Sequence, residues 1–228
     1  MKTRRNLAVI VASGTGTRMN SSMPKQFIEV LGKPVLVWTI ECFEKSNLID
    51  EIVLVVPNDY LAYTSQAIVD TYGFKKIRKI TGGGETRQES VLAGLAACPR
   101  SLDKVAIHDG VRPIVRQSLI EEVFETASET NGAIPAVKVK ETVKIVDQDM
   151  YAKTLPRDNI YLAQTPQVFS YPTIFDIHKQ AAETEFEASD DAMLAEHFGH
   201  KVKIINGYYD NIKITTPEDL VLAKEILK

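Results

Sequence analysis

Short, continuously apolar segments alternate with segments of helical periodicity along almost the whole chain. The first apolar segment, residues 7–12, ends at Ser13 and Gly14, which is the pattern of a β-strand buried on both faces. Similar segments occupy residues 52–56, 79–81, 105–108, 133–137 and 202–205, and helices are predicted over 35–45, 59–72, 86–97, 117–130, 171–182 and from Thr216 onward. Strands that alternate with helices predict an α/β fold built on a mostly parallel sheet.

The length and composition of the chain fit one such domain spanning residues 1–228. Of its 228 residues, 44% are apolar and 25% are charged, which excludes a disordered or collagen-like chain. The net charge of −3 supplies no basic field for nucleic acid, and no apolar segment approaches the ~20 residues of a membrane-spanning helix. Cys42 and Cys98 both lie in helical patterns, which favours unpaired thiols in a reducing, cytoplasmic compartment.

Residues 138–157 interrupt the alternation of strands and helices. Apolar and polar residues alternate on both sides of Asp147-Gln148-Asp149, which predicts a β-hairpin arm that projects from the core. The Asp-x-Asp string resembles that of metal-dependent glycosyltransferases, but its position between two alternating segments indicates a hairpin turn. An arm with one apolar side needs a covering surface, so we expect it to contact a second subunit.

A glycine-rich turn follows the first predicted strand. Gly14 and Gly16 fit the start of a dinucleotide-binding motif, but Met19 stands where the third glycine should be. The turn also lacks the Gly-Lys-Ser/Thr of a Walker A loop. Its backbone N–H groups can still surround phosphate oxygens, and Arg18 and Lys25 place two cations on the same connection. The turn is therefore predicted to bind phosphate.

A second glycine-rich turn, which includes Gly83 and Gly84, leads into the helix predicted over residues 86–97. Thr86 fits an N-cap and Glu89 fits the third helical position of a capping box, so both have a structural explanation. Arg87 and Ser90 are not needed for capping, which leaves them available to a ligand that approaches the glycine backbone.

Charged residues also follow the strand at 105–108 and precede the last helix. Asp109 lies at the carboxyl end of its strand, where open α/β sheets bind ligands, and suits Mg²⁺; Arg112 suits a phosphate. His108 is predicted to be structural. Near the C-terminus, alternation over residues 211–214 predicts that Lys213 lies on the face opposite Ile214. Asp210 adds a second carboxylate just before it.

The histidines and cysteines show no metal-ligand spacing, and no nucleophile–base pair stands out. Asp190 and Asp191 are interpreted as the start of a helix. Several cations, two isolated carboxylates and no general base suit a reaction whose substrate brings its own ionised nucleophile. Phosphoryl or nucleotidyl transfer fits that description.

The chain resembles the cytidylyltransferases that make CDP-methylerythritol in the non-mevalonate isoprenoid pathway. The matching pieces keep the order of that family and cover essentially the whole chain: residues 12–19, 24–26, 83–87, 90–95, 108–113, 142, 157, 165–167 and 210–213. Two positions depart from the family, which usually has alanine where Ser13 and Gly110 stand.

This resemblance implies a Rossmann-like nucleotidyltransferase sheet, a homodimer formed through the arm, and Mg²⁺-dependent transfer from CTP to 2-C-methyl-D-erythritol 4-phosphate. It implies catalytic roles for Arg18, Lys25, Arg157 and Lys213. It implies substrate-binding roles for Ser13, Gly14, Gly16, Gly83, Gly84, Arg87, Ser90, Asp109, Arg112, Thr142 and Thr165. Asp109 and Asp210 would lie near the metal, and Thr142 and Arg157 would complete the site of the neighbouring subunit.

Three alternatives remain open from the sequence. The related enzyme that activates ribitol 5-phosphate with CTP shares the loop, the lysine and the Asn-Ile-Lys motif at 211–213. A nucleotide-binding module without turnover is a second alternative, although every expected catalytic residue is present. A nicotinamide-dependent dehydrogenase is the third, and Met19 argues against it.

Overall fold

A computed structural model of the chain describes residues 5–14 and 23–228, so the predicted site residues Gly16 and Arg18 lie outside the described part. The strands are β1 Asn6–Val11, β2 Glu29–Val30, β3 Lys33–Pro34, β4 Glu51–Val56, β5 Ile77–Gly82, β6 Lys104–Asp109, β7 Asn131–Lys138, β8 Val143–Val146, β9 Ala152–Leu155, β10 Tyr161–Ala163, β11 Gln167–Ser170 and β12 Lys201–Asn206. The helices are α1 Val35–Glu44, α2 Leu61–Tyr63, α3 Arg87–Ala96, α4 Gln117–Thr126, α5 Tyr171–Glu183, α6 Asp191–His197 and α7 Pro217–Ile226.

Eight of these strands form one sheet, in the order β10-β7-β11-β6-β1-β4-β5 with β12 on β7. The pairs β1–β4, β1–β6, β4–β5 and β7–β12 are parallel, whereas β11 runs antiparallel to β6 and β7, and β10 runs antiparallel to β7. The prediction of a mostly parallel α/β sheet is confirmed. Parallel strands bring the carboxyl ends of β1, β4, β5 and β6 to one edge, where such sheets bind ligands.

The sheet is covered on both faces, which explains the continuously apolar strands. In β1, Ala8 and Ile10 face a core shared with α1 and α4, while Leu7 and Val9 face a second core shared with α3 and α5. All four side chains are fully buried. The strands are therefore held from both sides, and the loops at their ends project from a rigid base.

Helix α3 lies unusually close to the sheet. A Cβ atom at Gly94 would come within 2.5 Å of Val9 Cγ1 and 2.7 Å of Val55 Cγ2, so only glycine allows this approach. The helix begins with the predicted capping box: Thr86 accepts from the Glu89 backbone N–H, and the Glu89 carboxylate accepts from the Thr86 N–H. The first turn of α3 is thus fixed relative to β1 and β4.

The structure corrects several sequence predictions. Helix α4 ends at Thr126 rather than residue 130, and residues 59–72 form a 3-10 turn, α2 and a π-helical stretch at Thr64–Asp70 instead of one regular helix. Strands β10 and β11 were not predicted. Residues 211–214 do not form a strand: Ile214 is buried and Lys213 is half-exposed, as the alternation predicts, but Asn211, which the alternation places on the face of Lys213, is 1% exposed.

The predicted arm is the antiparallel hairpin β8–β9. Its turn is closed by Asp147, whose carboxylate accepts from the backbone N–H groups of Asp149 and Tyr151, in agreement with the predicted turn. Met150 and Tyr151 at the tip are 74% and 76% exposed. Within the described residues, none of the helices combines the length and the apolar character that crossing a membrane requires.

Candidate active site

The loops that follow β1, β5 and β6 enclose a cavity of about 360 Å³, which we call the first cavity. Its polar lining includes Ser13, Lys25, Arg87, Ser90, Asp109 and Lys213. An adjoining cavity of about 200 Å³ shares Arg87, Asp109 and Lys213 with the first and adds Arg112, Gln164, Thr165 and Gln167. Two cavities therefore meet at one carboxylate and two cations.

Asp109 is the centre of this junction and is surrounded by positive charge. Its Oδ1 lies 3.2 Å from Arg87 Nε, and its Oδ2 lies 3.3 Å from Arg112 Nε and 3.0 Å from Lys213 Nζ. Burial raises the pKa of the Asp109 carboxyl, but the three neighbouring cations outweigh burial and hold it far below its usual range. Asp109 stays ionised and acts as the common counterion that keeps three cations together.

Buried hydrogen bonds fix the strand end that carries Asp109. Its backbone N–H donates to the Thr165 hydroxyl, and the Arg112 guanidinium donates to the Asn211 carbonyl over 2.7 Å. Asn211 in turn donates to the Thr165 carbonyl over 2.9 Å. The loop after β6, the segment before β11 and the segment before α7 are thus tied together, which brings Lys213 to Asp109.

His108 is structural, as the sequence predicted. His108 Nε2 lies 3.1 Å from the Arg112 carbonyl oxygen, which can only accept, so Nε2 carries the proton and donates it. His108 Nδ1 accepts from the Thr165 hydroxyl over 2.9 Å. Burial lowers the pKa of His108 to about 3, so the imidazole is neutral at ordinary pH. Both nitrogens are occupied, and His108 has no free lone pair to act as a base.

A pair of serine hydroxyls lies at the other end of the first cavity. Ser13 Oγ donates to Ser90 Oγ over 2.7 Å, and Ser90 Oγ also accepts from the Gly84 N–H and donates to the Thr86 carbonyl. A Cβ at Gly83 would lie 2.3 Å from Ser13 Cβ and 2.7 Å from Ser90 Oγ. This corner therefore depends on glycine at position 83, although Gly83 itself lines neither cavity and its predicted binding role stays a prediction.

Lys25 enters the first cavity from the 3-10 turn Lys25–Phe27. The next side chain, Gln26, is buried and donates to the carbonyls of Ala12 and Gly14. These bonds join the lysine turn to the end of β1. Lys25 and the glycine turn are consequently held on the same wall of the cavity.

Sequence reasoning missed one buried pair behind the site. Asp191 Oδ2 lies 2.8 Å from Arg87 Nη1, and Asp191 Oδ1 lies 2.9 Å from His178 Nε2. The sequence placed Asp191 only at a helix start. The structure shows that the neighbouring Asp190 is the N-cap of α6, which leaves Asp191 for another role. The local signal for this second role is that two consecutive aspartates stand at the helix start, where one is enough for capping.

The model of the IspD family, 2-C-methyl-D-erythritol 4-phosphate cytidylyltransferase, matches residues 7–228 of this chain. The chain belongs to this family. A 2-C-methyl-D-erythritol 4-phosphate cytidylyltransferase of Geobacter metallireducens is 44% identical over 224 residues, which is 97% of each chain. One of Clostridium novyi is 42% identical over 225 residues, covering 98% of this chain and 97% of the relative.

Solved structures agree with the family assignment. The crystal structure of 4-diphosphocytidyl-2C-methyl-D-erythritol synthase from Anaerococcus prevotii has a TM-score of 0.85 at 36% identity, over 98% of this chain and 96% of that one. That of the Francisella tularensis cytidylyltransferase has a TM-score of 0.80 at 31% identity, covering 97% and 99% of the two chains. Membership of this nucleotidyltransferase family sets aside the dehydrogenase alternative.

The metal near Asp109 and Asp210 that the family resemblance implies stays a prediction. Asp109 is engaged by three cations, and Asp210 Oδ2 lies 2.5 Å from Arg116 Nη2 and lines neither cavity. No group of three or more metal-ligating side chains occurs in residues 5–14 and 23–228. Mg²⁺ is usually bound through one or two carboxylates together with substrate phosphates, so a group of three protein ligands is not required. Asp210 Oδ1 is buried and has no hydrogen-bond partner among residues 5–14 and 23–228, which leaves one carboxylate oxygen for such a metal.

Thr142 and Arg157 lie at the base of the arm and line neither cavity of their own chain. Both side chains are exposed, and the Arg157 guanidinium donates to the Lys140 carbonyl. Within one chain of this cytidylyltransferase family member, the structure brings together Ser13, Gly14, Lys25, Gly84, Arg87, Ser90, Asp109 and Lys213 in the first cavity, and Arg112 and Thr165 in the adjoining one.

Proposed function

We propose that the chain transfers the cytidylyl group of CTP to 2-C-methyl-D-erythritol 4-phosphate and releases pyrophosphate. The observation that carries this proposal is the junction of two cavities at Asp109, Arg87 and Lys213. A transfer between two phosphate-bearing substrates requires two adjoining sites with shared cations. The names of the Geobacter and Clostridium relatives support the choice of acceptor.

The first cavity suits the nucleotide. The N–H and O–H donors of the serine corner and of Gly83 and Gly84 are already used within the chain, which leaves oxygen acceptors for an amino group of the base, and Lys25 lines the same cavity for the phosphates. The smaller cavity suits the acceptor, because Arg112 and Thr165 add a guanidinium and a hydroxyl to the shared cations. In this arrangement the α-phosphorus of CTP lies at the junction of the two cavities.

The reaction requires charge compensation more than proton transfer. An oxygen of the acceptor phosphate attacks the α-phosphorus, and the bond to pyrophosphate breaks; the nucleophile is already ionised. Each pair of like unit charges at 4 Å costs about 4 kcal/mol at an effective dielectric of 20. Lys25, Arg87, Arg112 and Lys213 offset this repulsion and stabilise charge on the equatorial and leaving oxygens. Neither His108 nor Asp109 has to accept a proton.

The decisive experiment compares two acceptors. Pyrophosphate release is measured with CTP and either 2-C-methyl-D-erythritol 4-phosphate or ribitol 5-phosphate, and we expect kcat/KM to favour the first at least ~100-fold, since mispositioned acceptor groups leave buried polar groups unpaired. A higher kcat/KM with ribitol 5-phosphate would instead identify the chain as a ribitol 5-phosphate cytidylyltransferase. CTP binding without pyrophosphate release from either acceptor would instead support the module without turnover.

A matched pair of lysine variants tests the role of the junction. We expect Lys213→Met to lower kcat by ~10²-fold or more, the scale of one preorganised charge contact. Lys203 is exposed on β12 and lines neither cavity, so Lys203→Met serves as the control and should retain activity. Equal activities of the two variants would remove Lys213 from the mechanism.

We further propose that the arm forms a homodimer in which Thr142 and Arg157 reach the site of the partner. Support comes from the exposed apolar tip and from the exposure of both residues at the arm base. Tyr151→Asp should shift the mass measured by light scattering from dimer to monomer. Val221→Asp, at a 65% exposed site on α7, is the matched control and should remain dimeric.

Mixing variants tests the shared site directly. Chains with Arg157→Ala and chains with Lys213→Met are mixed after each is shown to be inactive. If arms reach across the dimer, one site in each mixed dimer is intact, and about a quarter of wild-type activity should return. No recovery from a population shown to contain mixed dimers would place Arg157 in the site of its own chain.

A further inference from the structure

Asp191 links Arg87 of the candidate active site to a buried histidine on helix α5. It is 1% exposed, and its two carboxylate oxygens contact Arg87 on one side and His178 on the other. The residues come from three helices, since Arg87 begins α3, His178 lies in α5 and Asp191 begins α6. Arg87 continues the chain of contacts to Asp109 at the junction of the cavities.

The guanidinium of Arg87 is fixed by two of its three nitrogens. Nε faces Asp109 and Nη1 faces Asp191, while Nη2 is buried and has no hydrogen-bond partner among residues 5–14 and 23–228. An unpaired buried donor is costly, and a guanidinium has a planar, rigid set of donors. Arg87 lines both cavities, so its two carboxylate partners fix a cation whose charge lies at the junction of the cavities.

We propose that Asp191, held by His178, is a positioning residue that orients Arg87 so that its positive charge lies at the junction where the phosphate is transferred. This inference rests on the proposed cytidylyl transfer. Asp191 itself lines neither cavity. Its link to the cavity wall is the ion pair with Arg87, so it acts through that arginine. His178 donates from Nε2, since Asp191 is a carboxylate, and thereby fixes which oxygen remains for Arg87.

The electrostatics are consistent with a carboxylate that is always charged. Burial raises the pKa of the Asp191 carboxyl, but the Arg87 charge and the His178 hydrogen bond outweigh it and leave the pKa lowered. A local structural explanation is weak, because Asp190 already caps α6 through the Met193 N–H. The polar side chains of Arg87, His178 and Asp191 meet where apolar side chains would pack without a desolvation penalty. The orientation of Arg87 explains why this penalty is tolerated.

A double-mutant cycle separates this role from simple loss of packing. The kcat and KM of pyrophosphate release are measured for wild type, Asp191→Asn, Arg87→Met and the double variant. We expect Asp191→Asn to lower kcat ~10- to 100-fold, the effect of displacing a group by about 1 Å, with the KM for CTP changed less than ~3-fold. In the Arg87→Met background, Asp191→Asn should have no further effect on kcat.

His178 provides a milder perturbation if Asp191→Asn does not fold. His178→Leu removes the donor while keeping a similar volume, and should lower kcat ~3- to 10-fold; His178→Gln keeps a donor and should restore most of the rate. Glu51→Gln is the matched control, because Glu51 also bridges two arginines, Arg5 and Arg78, but at the opposite ends of the strands. It should keep wild-type kcat.

The outcomes distinguish this inference from the proposed function. A wild-type chain that releases no pyrophosphate refutes the proposed function. If the wild type is active, multiplicative losses in the double variant, an unchanged kcat in folded Asp191→Asn, or a loss expressed only as a raised KM for CTP each refute the positioning role. Equal rates for the two His178 variants would also refute the part assigned to His178.

Discussion

Replacing Asp109 by asparagine tests the view that one carboxylate holds three cations together. The substitution keeps the shape of the side chain and removes its charge, so Arg87, Arg112 and Lys213 lose their common partner. Removing one member of a buried ion pair costs roughly 3–5 kcal/mol. The exposed fraction rises from 11% for the Arg112 side chain to 26% for Arg87 and 38% for Lys213, so solvent screens part of the repulsion.

We therefore expect a loss at the lower end, about 3 kcal/mol in the free energy of unfolding. For a chain of this size, 1 kcal/mol shifts Tm by roughly 2–4 °C, so the Tm of Asp109→Asn should fall by about 6–12 °C. Glu51→Gln removes a carboxylate from more exposed arginines and should cost under ~1 kcal/mol. Differential scanning calorimetry of the three proteins measures both shifts.

The pH dependence of stability supplies the sign of the effect. The cations lower the pKa of Asp109 in the folded chain, so its stabilisation is present in full above the unfolded pKa of ~3.9 and is lost as the pH falls below that value. The Tm difference between wild type and Asp109→Asn should be constant from neutral pH to about pH 5 and shrink below about pH 4. A difference that grows in acid would contradict the assignment.

Anion binding by the same variant gives a second test, in which the expected change in Tm has the opposite sign. Asp109→Asn removes the negative charge, so the three cations should bind pyrophosphate more tightly. Pyrophosphate should therefore raise the Tm of Asp109→Asn more than that of wild type. Thermal scans at several pyrophosphate concentrations measure this difference. A Tm within about 2 °C of wild type, or equal stabilisation of both proteins by pyrophosphate, would refute the idea that Asp109 is the counterion of the site.

Three further predictions concern the other walls of the site. Lys25→Ala should lower kcat by ~10²-fold or more, and near-wild-type turnover would exclude Lys25 from catalysis. Gly83→Ala places a methyl group 2.3 Å from Ser13 Cβ, so the KM for CTP should rise at least ~10-fold; since overpacking costs roughly 1–3 kcal/mol, the Tm should also fall by about 2–12 °C, as measured by initial rates and calorimetry. Asp210→Asn should raise the Mg²⁺ concentration for half-maximal rate at least ~10-fold, and an unchanged Mg²⁺ dependence would remove Asp210 from the metal site.

The central fold could be predicted because its signals are local. The strands β1, β4 and β6 contain continuous apolar segments, and Thr86 with Glu89 is a complete capping box within four residues. Strand β11 gave no such signal: it has four residues, and it is antiparallel between two parallel neighbours, which depends on partners distant in sequence.

The site was predictable where residues follow strand ends and unpredictable where distant segments pair. Ser13, Gly83 and Asp109 all follow strands at the same sheet edge, which parallel topology requires to converge. The pair Arg87–Asp191 joins residues 104 positions apart, and nothing in either local sequence indicates the other. Similarly, the pairing of Asp210 with Arg116 is visible only after folding.

Because helix α3 packs closely on the sheet, the proposed recognition of the base and the proposed transfer of the phosphate depend on the same helix. Ser90 and Arg87 lie one turn apart on this helix, and the missing side chain at Gly94 lets its body rest directly on Val9 and Val55. The hydroxyl proposed to contact the base and the guanidinium proposed to act at the transferred phosphate are therefore carried by one closely packed helix. We expect a nucleotide whose larger base displaced α3 also to misalign its own phosphorus for attack, so that discrimination among nucleotides would lower kcat as well as raise KM.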